Sequence, residues 1–120
     1  MAVGFDIEAA LIALSLRSQL PGIRIIAVVP FDGMQHRFSA SQRSIFEQII
    51  DKVDEVITLS TTYSVGVYAT RNNFLVDNST AVITYFTGEK GGTAYTIKRA
   101  IKSLLQITNI YNNPQKEFKF

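Results

Sequence analysis

The sequence predicts a Rossmann-like three-layer α/β/α sandwich with a mostly parallel sheet. Short, β-branched apolar runs recur along the chain: IRIIAVVP at 23–30, EVITLS at 55–60 and AVITYF at 81–86. Between them lie segments with helical spacing or capping signatures, and the connections are short. Strands that alternate with helices require right-handed crossovers, which place strands side by side in parallel with helices on the faces.

Each element has its own warrant. Residues 6–19 put Ile7, Ala10, Leu11 and Leu14 at helical spacing, with Asp6 as a cap and Glu8 near the positive end of the helix dipole. Pro21-Gly22 breaks this helix, and IRIIAVVP then reads as a strand buried on both faces. FDGMQHRF (31–38) lacks periodicity and reads as a loop. Ser39 and Gln42 form a capping-box pattern ahead of a second helix that runs to about Val53.

EVITLS is the second strand. A helical portion follows over YATRNNFLVDN (68–78), with an irregular start at Ser64 and Gly66. AVITYF is the third strand, residues 93–106 the last helix, and ITNIY (107–111) a short fourth strand. Residues 1–112 read as one domain and 113–120 as a tail, consistent with a length of 120 residues and one core.

Composition narrows the function classes. The net charge of +2 is carried by scattered basic residues, so nucleic-acid binding is not expected. The absence of cysteine excludes disulfides and thiolate chemistry and suits a cytoplasmic setting. The apolar run AALIALSL is far shorter than the roughly 20 residues of a membrane span, so no membrane association is expected. His36 is the single histidine, which removes multi-histidine metal sites, and no cofactor is expected.

In parallel α/β sheets ligands bind beyond the carboxyl ends of the strands. The loop after the third strand, TGEKGGTAYT, carries Gly88, Gly91 and Gly92 directly before the last helix. The amides of Gly91, Gly92 and Thr93 can point at an anion, and the Thr93 hydroxyl can add a donor. The pattern is neither GxGxxG nor a Walker loop, so a plain turn with a helix cap stands beside the phosphate reading. Arg71, Asn72 and Asn73 form a polar triplet in an apolar helix, either as a solvated face or as an arginine fork with an amide that reads base or ribose. The loop containing Gln35, His36 and Arg37 could serve as a lid or a base-recognition loop. No serine lies in a G-x-S-x-G context.

GFD near the start, VVPF, YATRNNFLVDNS and YFTGEKGGTAYTIKRA together resemble the YpsA-like (also written YspA-like) branch of the SLOG superfamily. This is a Rossmann-like group that includes the LOG phosphoribohydrolases and the DNA-processing protein DprA. The resemblance spans roughly residues 2–110. It implies binding of a nucleotide or nucleotide-derived small molecule, often by a homo-oligomer. It also implies ligand contacts at Gly4, Asp6, Arg71, Asn72, Gly91, Gly92 and Thr93.

Three departures shape the expectation. Leu11 stands where family members commonly carry a glutamate, although Glu8 lies one turn earlier. GGT runs into Ala94-Tyr95-Thr96 rather than into the catalytic glutamate of the phosphoribohydrolase branch. GFD follows Met1-Ala2-Val3 with no glycine-rich turn or strand before it, so a sheet lacking about two strands, with exposed edges that self-associate, is expected. The leading expectation is therefore a binding or sensing module. The alternatives are a LOG-like nucleoside monophosphate hydrolase using Glu8 or Glu89, and an oligomerisation scaffold with a vestigial pocket.

Overall fold

A computed structural model describes residues 5–88 and 90–111. Residues 1–4, Glu89 and 112–120, the last including the expected tail, lie outside it. The α/β class is as expected: α1 (Phe5–Leu16), β1 (Ile26–Val29), a 3₁₀ helix (Met34–Arg37), α2 (Ala40–Lys52), β2 (Glu55–Thr58), α3 (Val67–Asp77), β3 (Ala81–Thr84), α4 (Gly92–Lys102) and β4 (Gln106–Asn109). The chain divides into two compact units at the Val67–Tyr68 bond. Among the described residues no helix is long and apolar enough to cross a membrane.

In the first unit β1 pairs with β2 in parallel, Ile26 opposite Glu55 and Val29 opposite Thr58. The ladder extends past the strand ends, because Leu59 N donates to Val29 O (3.0 Å) and Asp32 N to Ser60 O (3.0 Å). Crossover helix α2 starts at the anticipated capping box. Ser39 Oγ accepts from Gln42 N (3.3 Å), while Gln42 Oε1 accepts from Ser39 N (3.2 Å). Val29, Phe31, Met34, Phe46 and Val67 form the buried cluster under this crossover, with Phe38 edge-on to Phe46 at 5.6 Å. At the end of α1, Arg17 donates to Asp54 (3.1 Å) and to the Lys52 carbonyl (2.6 Å), so the helix is tied to the α2–β2 connection.

In the second unit β3 pairs with β4 in parallel, Ala81 opposite Gln106 and Thr84 opposite Asn109, with α4 as the crossover. Val76, Phe86, Ile97 and Ala100 are buried.

Three expectations are corrected. The loop 31–38 contains a 3₁₀ helix, because Gly33 takes a left-handed φ of 81° that starts a tight turn and Met34 is buried beneath it. The last helix ends at Lys102 rather than at residue 106. Leu104 adopts φ 61°, and Leu105 N donates back to Ala100 O (3.0 Å), a Schellman-type stop that sends Gln106 into β4. The strands are not buried on both faces: Ile26, Val56 and Ile83 are 44%, 41% and 68% exposed. The described strands form two two-stranded sheets, and so small a sheet leaves most of its surface uncovered.

Candidate functional site

Of the expected contact residues, Gly4 lies outside the described residues, as does Glu89. Asp6 is exposed in the first turn of α1, inside the helix rather than capping it, in the first unit. Arg71, Asn72, Gly91, Gly92 and Thr93 lie in the second unit, on α3 and on the turn from β3 into α4.

That turn is built for backbone exposure. Gly88 and Gly91 take φ of 93° and 143°, a region that favours glycine. Gly91 is the N-cap of α4 and offers no side-chain cap, so the amides of Gly92, Thr93 and Ala94 have no acceptor from the helix itself. The first intrahelical bond is Tyr95 N to Gly91 O (3.1 Å). A Cβ on Gly91 or Gly92 would meet nothing within 4 Å, so the space beside these amides is open. Thr93 is exposed, and the Thr96 hydroxyl turns back to Gly92 O (2.9 Å).

Asn109, which the sequence did not single out, fixes where the turn begins. Its Oδ1 accepts from Phe86 N (2.9 Å) and Tyr111 N (3.2 Å), and its Nδ2 donates to Phe86 O (2.9 Å). Tyr85 packs edge-on to Tyr111 at 5.1 Å, and Ile110 N donates to Thr84 O (2.9 Å). The chain leaving β3 is thereby pinned to the end of β4 just before Gly88.

On α3, Arg71 is buried (7% exposed), and its Nε donates to Asn72 Oδ1 (2.8 Å). Asn72 thus orients the guanidinium, which also lies 5.9 Å from the Tyr68 ring centroid. Asp77 makes a fork to Arg99 of α4 (2.9 to 3.1 Å), and this hydrogen bonding raises the arginine's already high pKa. α3 precedes β3 and α4 follows it, and the Asp77–Arg99 fork joins the two helices. Arg71 lies six residues before Asp77, and Gly92 seven before Arg99. Asn73, one helical turn before Asp77, shares its face of α3, and its Oδ1 is buried with no hydrogen-bond partner among the described residues. Only the polar character of the triplet hinted at that residue.

Among the described residues no cluster of three or more histidines and carboxylates could hold a metal. A cavity of about 310 Å³ between α1 and α2, lined by Leu11, Leu14, Ile49 and Arg17 among others, contains none of the expected site residues.

Comparison with known proteins gives the chain its relatives. The Bacillus subtilis (strain 168) uncharacterized SPbeta prophage-derived protein YoqJ is 25% identical over 116 residues, covering 87% of this chain and 68% of the relative. UPF0398 proteins of Bacillus thuringiensis (strain Al Hakam) and Bacillus cereus (strain ATCC 10987) are each 23% identical over 112 residues, covering 92% of this chain. The chain spans 61% of the length of these UPF0398 relatives. The family profile described as the YspA SLOG family matches residues 1–113, and the chain belongs to that family.

Proposed function

We propose that the chain is a nucleotide- or nucleotide-derivative-binding module whose anion seat is the glycine turn at the start of α4. The observation that carries this reading is an uncapped helix start, Gly91-Gly92-Thr93, with open space at both glycines, at the carboxyl end of a parallel strand. In this reading Arg71, held by Asn72 in the same unit, is the cation of the site, and Asn72 and Asn73 supply amides suited to a base or ribose. Ala94-Tyr95-Thr96 follow Thr93 with no acid among them, which favours holding a ligand over cleaving it.

Calorimetry against a panel of nucleotides and nucleoside monophosphates tests the reading, with Gly92→Val and Arg71→Ala as controls. A side chain at Gly92 meets only open space, so Gly92→Val fills the approach to the amides without clashing with the chain. Binding by the parent chain and a loss of about tenfold or more in each variant is expected. Silence across the panel, or binding that neither substitution weakens, sinks the proposal.

Self-association is part of the same reading. Leu11, Ile12 and Leu16 on α1 are 42%, 57% and 39% exposed, and apolar surface of this kind is commonly covered by a partner. A monomer at all micromolar concentrations in sedimentation equilibrium counts against it. A cytoplasmic setting is also proposed, supported by the absence of cysteine.

A further inference from the structure

The carboxyl ends of β1 and β2 carry a second arrangement, in the first unit, that the glycine turn does not use. Phe31 follows β1 and is buried, and Tyr63 follows β2 and is 47% exposed. Their rings meet edge-on at 5.5 Å and 72°. The Arg37 guanidinium lies 4.1 Å from the Tyr63 centroid and 5.3 Å from that of Phe31. Cation–π contact at these distances holds the cation without using its N–H donors.

The support under Arg37 is firm. Met34, three residues earlier, is buried in the core cluster. Arg43 of α2 donates to the carbonyls of Gln35 (3.2 Å) and His36 (3.5 Å), so the 3₁₀ helix is fixed from below. Gly33 at its start has φ 81°, and a Cβ there would lie 3.2 Å from His36 Nδ1. The two loops are zipped together by the Asp32 N to Ser60 O bond.

The Arg37 side chain is exposed and makes no hydrogen bond or ion pair with any described residue. The described ion pairs join Arg17 to Asp54, Arg24 to Glu55 and Arg99 to Asp77. A guanidinium held against two rings, with five unspent donors, at the strand ends where parallel α/β folds take ligands, is suited to receive an oxyanion beside a half-exposed tyrosine.

We propose that Arg37 and Tyr63 form a second binding site, independent of the glycine turn, for the phosphate of an aromatic phosphate monoester. Arg37 grips the phosphate through its N–H edge, and the exposed face or edge of Tyr63 meets the ligand's ring. Arg43 is a positioning residue, acting only through the backbone of the 3₁₀ helix.

The test is titration of the full chain, followed by the arginine Nε–Hε NMR resonances, with inorganic phosphate, phenyl phosphate and a nucleoside monophosphate. The Arg37 resonance is assigned by its loss in Arg37→Gln. Saturable movement of that resonance is expected with all three probes, and phenyl phosphate should bind about threefold more tightly than inorganic phosphate. Arg37→Gln should weaken the esters about tenfold or more, measured by calorimetry, and Arg37→Lys, which keeps the charge without the fork, nearly as much. Tyr63→Leu should erase the preference for phenyl phosphate and leave inorganic phosphate unchanged. Circular dichroism melts confirm that each variant is folded.

An unmoved Arg37 resonance overturns the proposal, as does an aromatic preference that survives Tyr63→Leu. Tighter binding of a single-stranded oligonucleotide than of the monophosphate, by tenfold or so, would assign the site to nucleic acid instead. The Arg37 response should persist in Gly92→Val. A response at Arg37 in a chain whose turn binds nothing leaves this site standing while the proposed function fails. Nucleotide binding lost in Gly92→Val, with Arg37 unresponsive, does the reverse.

Discussion

Asn109 offers the most direct way to ask whether the glycine turn depends on the strand beside it. Asn109→Ala deletes three hydrogen bonds at once, to Phe86 N, Phe86 O and Tyr111 N, all in partly buried surroundings. At about 0.5–1.5 kcal/mol each, their loss costs about 2–3 kcal/mol. For a domain of this size that lowers a urea midpoint by roughly 1–2 M. Near-ultraviolet circular dichroism is the suitable probe, because Tyr85 and Tyr111 pack edge-on beside the clamp.

Asn109→Asp separates the donor from the acceptor. Its carboxylate keeps an oxygen for the two N–H groups but sets a second oxygen against Phe86 O, where Nδ2 now donates. Protonation near the ordinary carboxyl range, about pH 4, restores a donor. The deficit relative to the parent chain should therefore be larger at pH 7 than at pH 4. A loss below about 0.5 kcal/mol in Asn109→Ala, or an Asn109→Asp deficit that does not narrow in acid, would refute the clamp.

Leu104 ends α4 with φ 61° and is 90% exposed, so Leu104→Gly relieves about 1–2 kcal/mol of left-handed strain against roughly 0.5–1 kcal/mol of added chain entropy. A melting temperature a few degrees higher is expected, and a fall refutes the strain argument. The Asp54 carboxylate is held below its ordinary range by the Ile25 N–H (2.7 Å) and by Arg17. A lowered folded pKa means that this stabilisation is complete above the unfolded carboxyl value, about 3.9, and is lost as pH falls through the lowered one. Asp54→Asn should accordingly flatten the acid limb of the stability profile. An unchanged acid limb counts against the assignment.

The class of the fold and most element boundaries were legible because their signals are local. Ser39 and Gln42 satisfy each other within one turn, and Pro21-Gly22 and Gly66 act on their own backbone. The end of α4 was not legible, since nothing in SLLQ marks a stop; a leucine had to accept the conformation usually given to glycine so that Gln106 could pair with Ala81. Strand burial was misread for a related reason. A β-branched run shows that a strand suits a pleated surface, but how many strands lie beside it depends on segments far away in sequence. The glycine turn could be found from its glycines and its place after a strand. Asn109, 23 residues beyond Phe86, could not, because its role exists only once β3 and β4 are side by side. Tyr63 went unnoticed for the same cause, as its partners Phe31 and Arg37 come from another loop.

The order in which the two crossovers consolidate follows from the way their helices begin. Ile26 meets Glu55 across 29 positions and Ala81 meets Gln106 across 25, so the entropies of closing the two loops differ by only roughly 0.1 kcal/mol. Chain topology gives neither half a head start. What differs is nucleation: α2 opens on a reciprocal cap, which contributes about 1 kcal/mol to such a helix, whereas α4 opens on two glycines with no cap at all. The amino-terminal crossover is therefore expected to form first, and the carboxyl-terminal one to form late and open early. Its amides should exchange with deuterium ahead of those of β1 and β2, and an anion seated at Gly92 would slow that exchange by supplying the contact the sequence withholds.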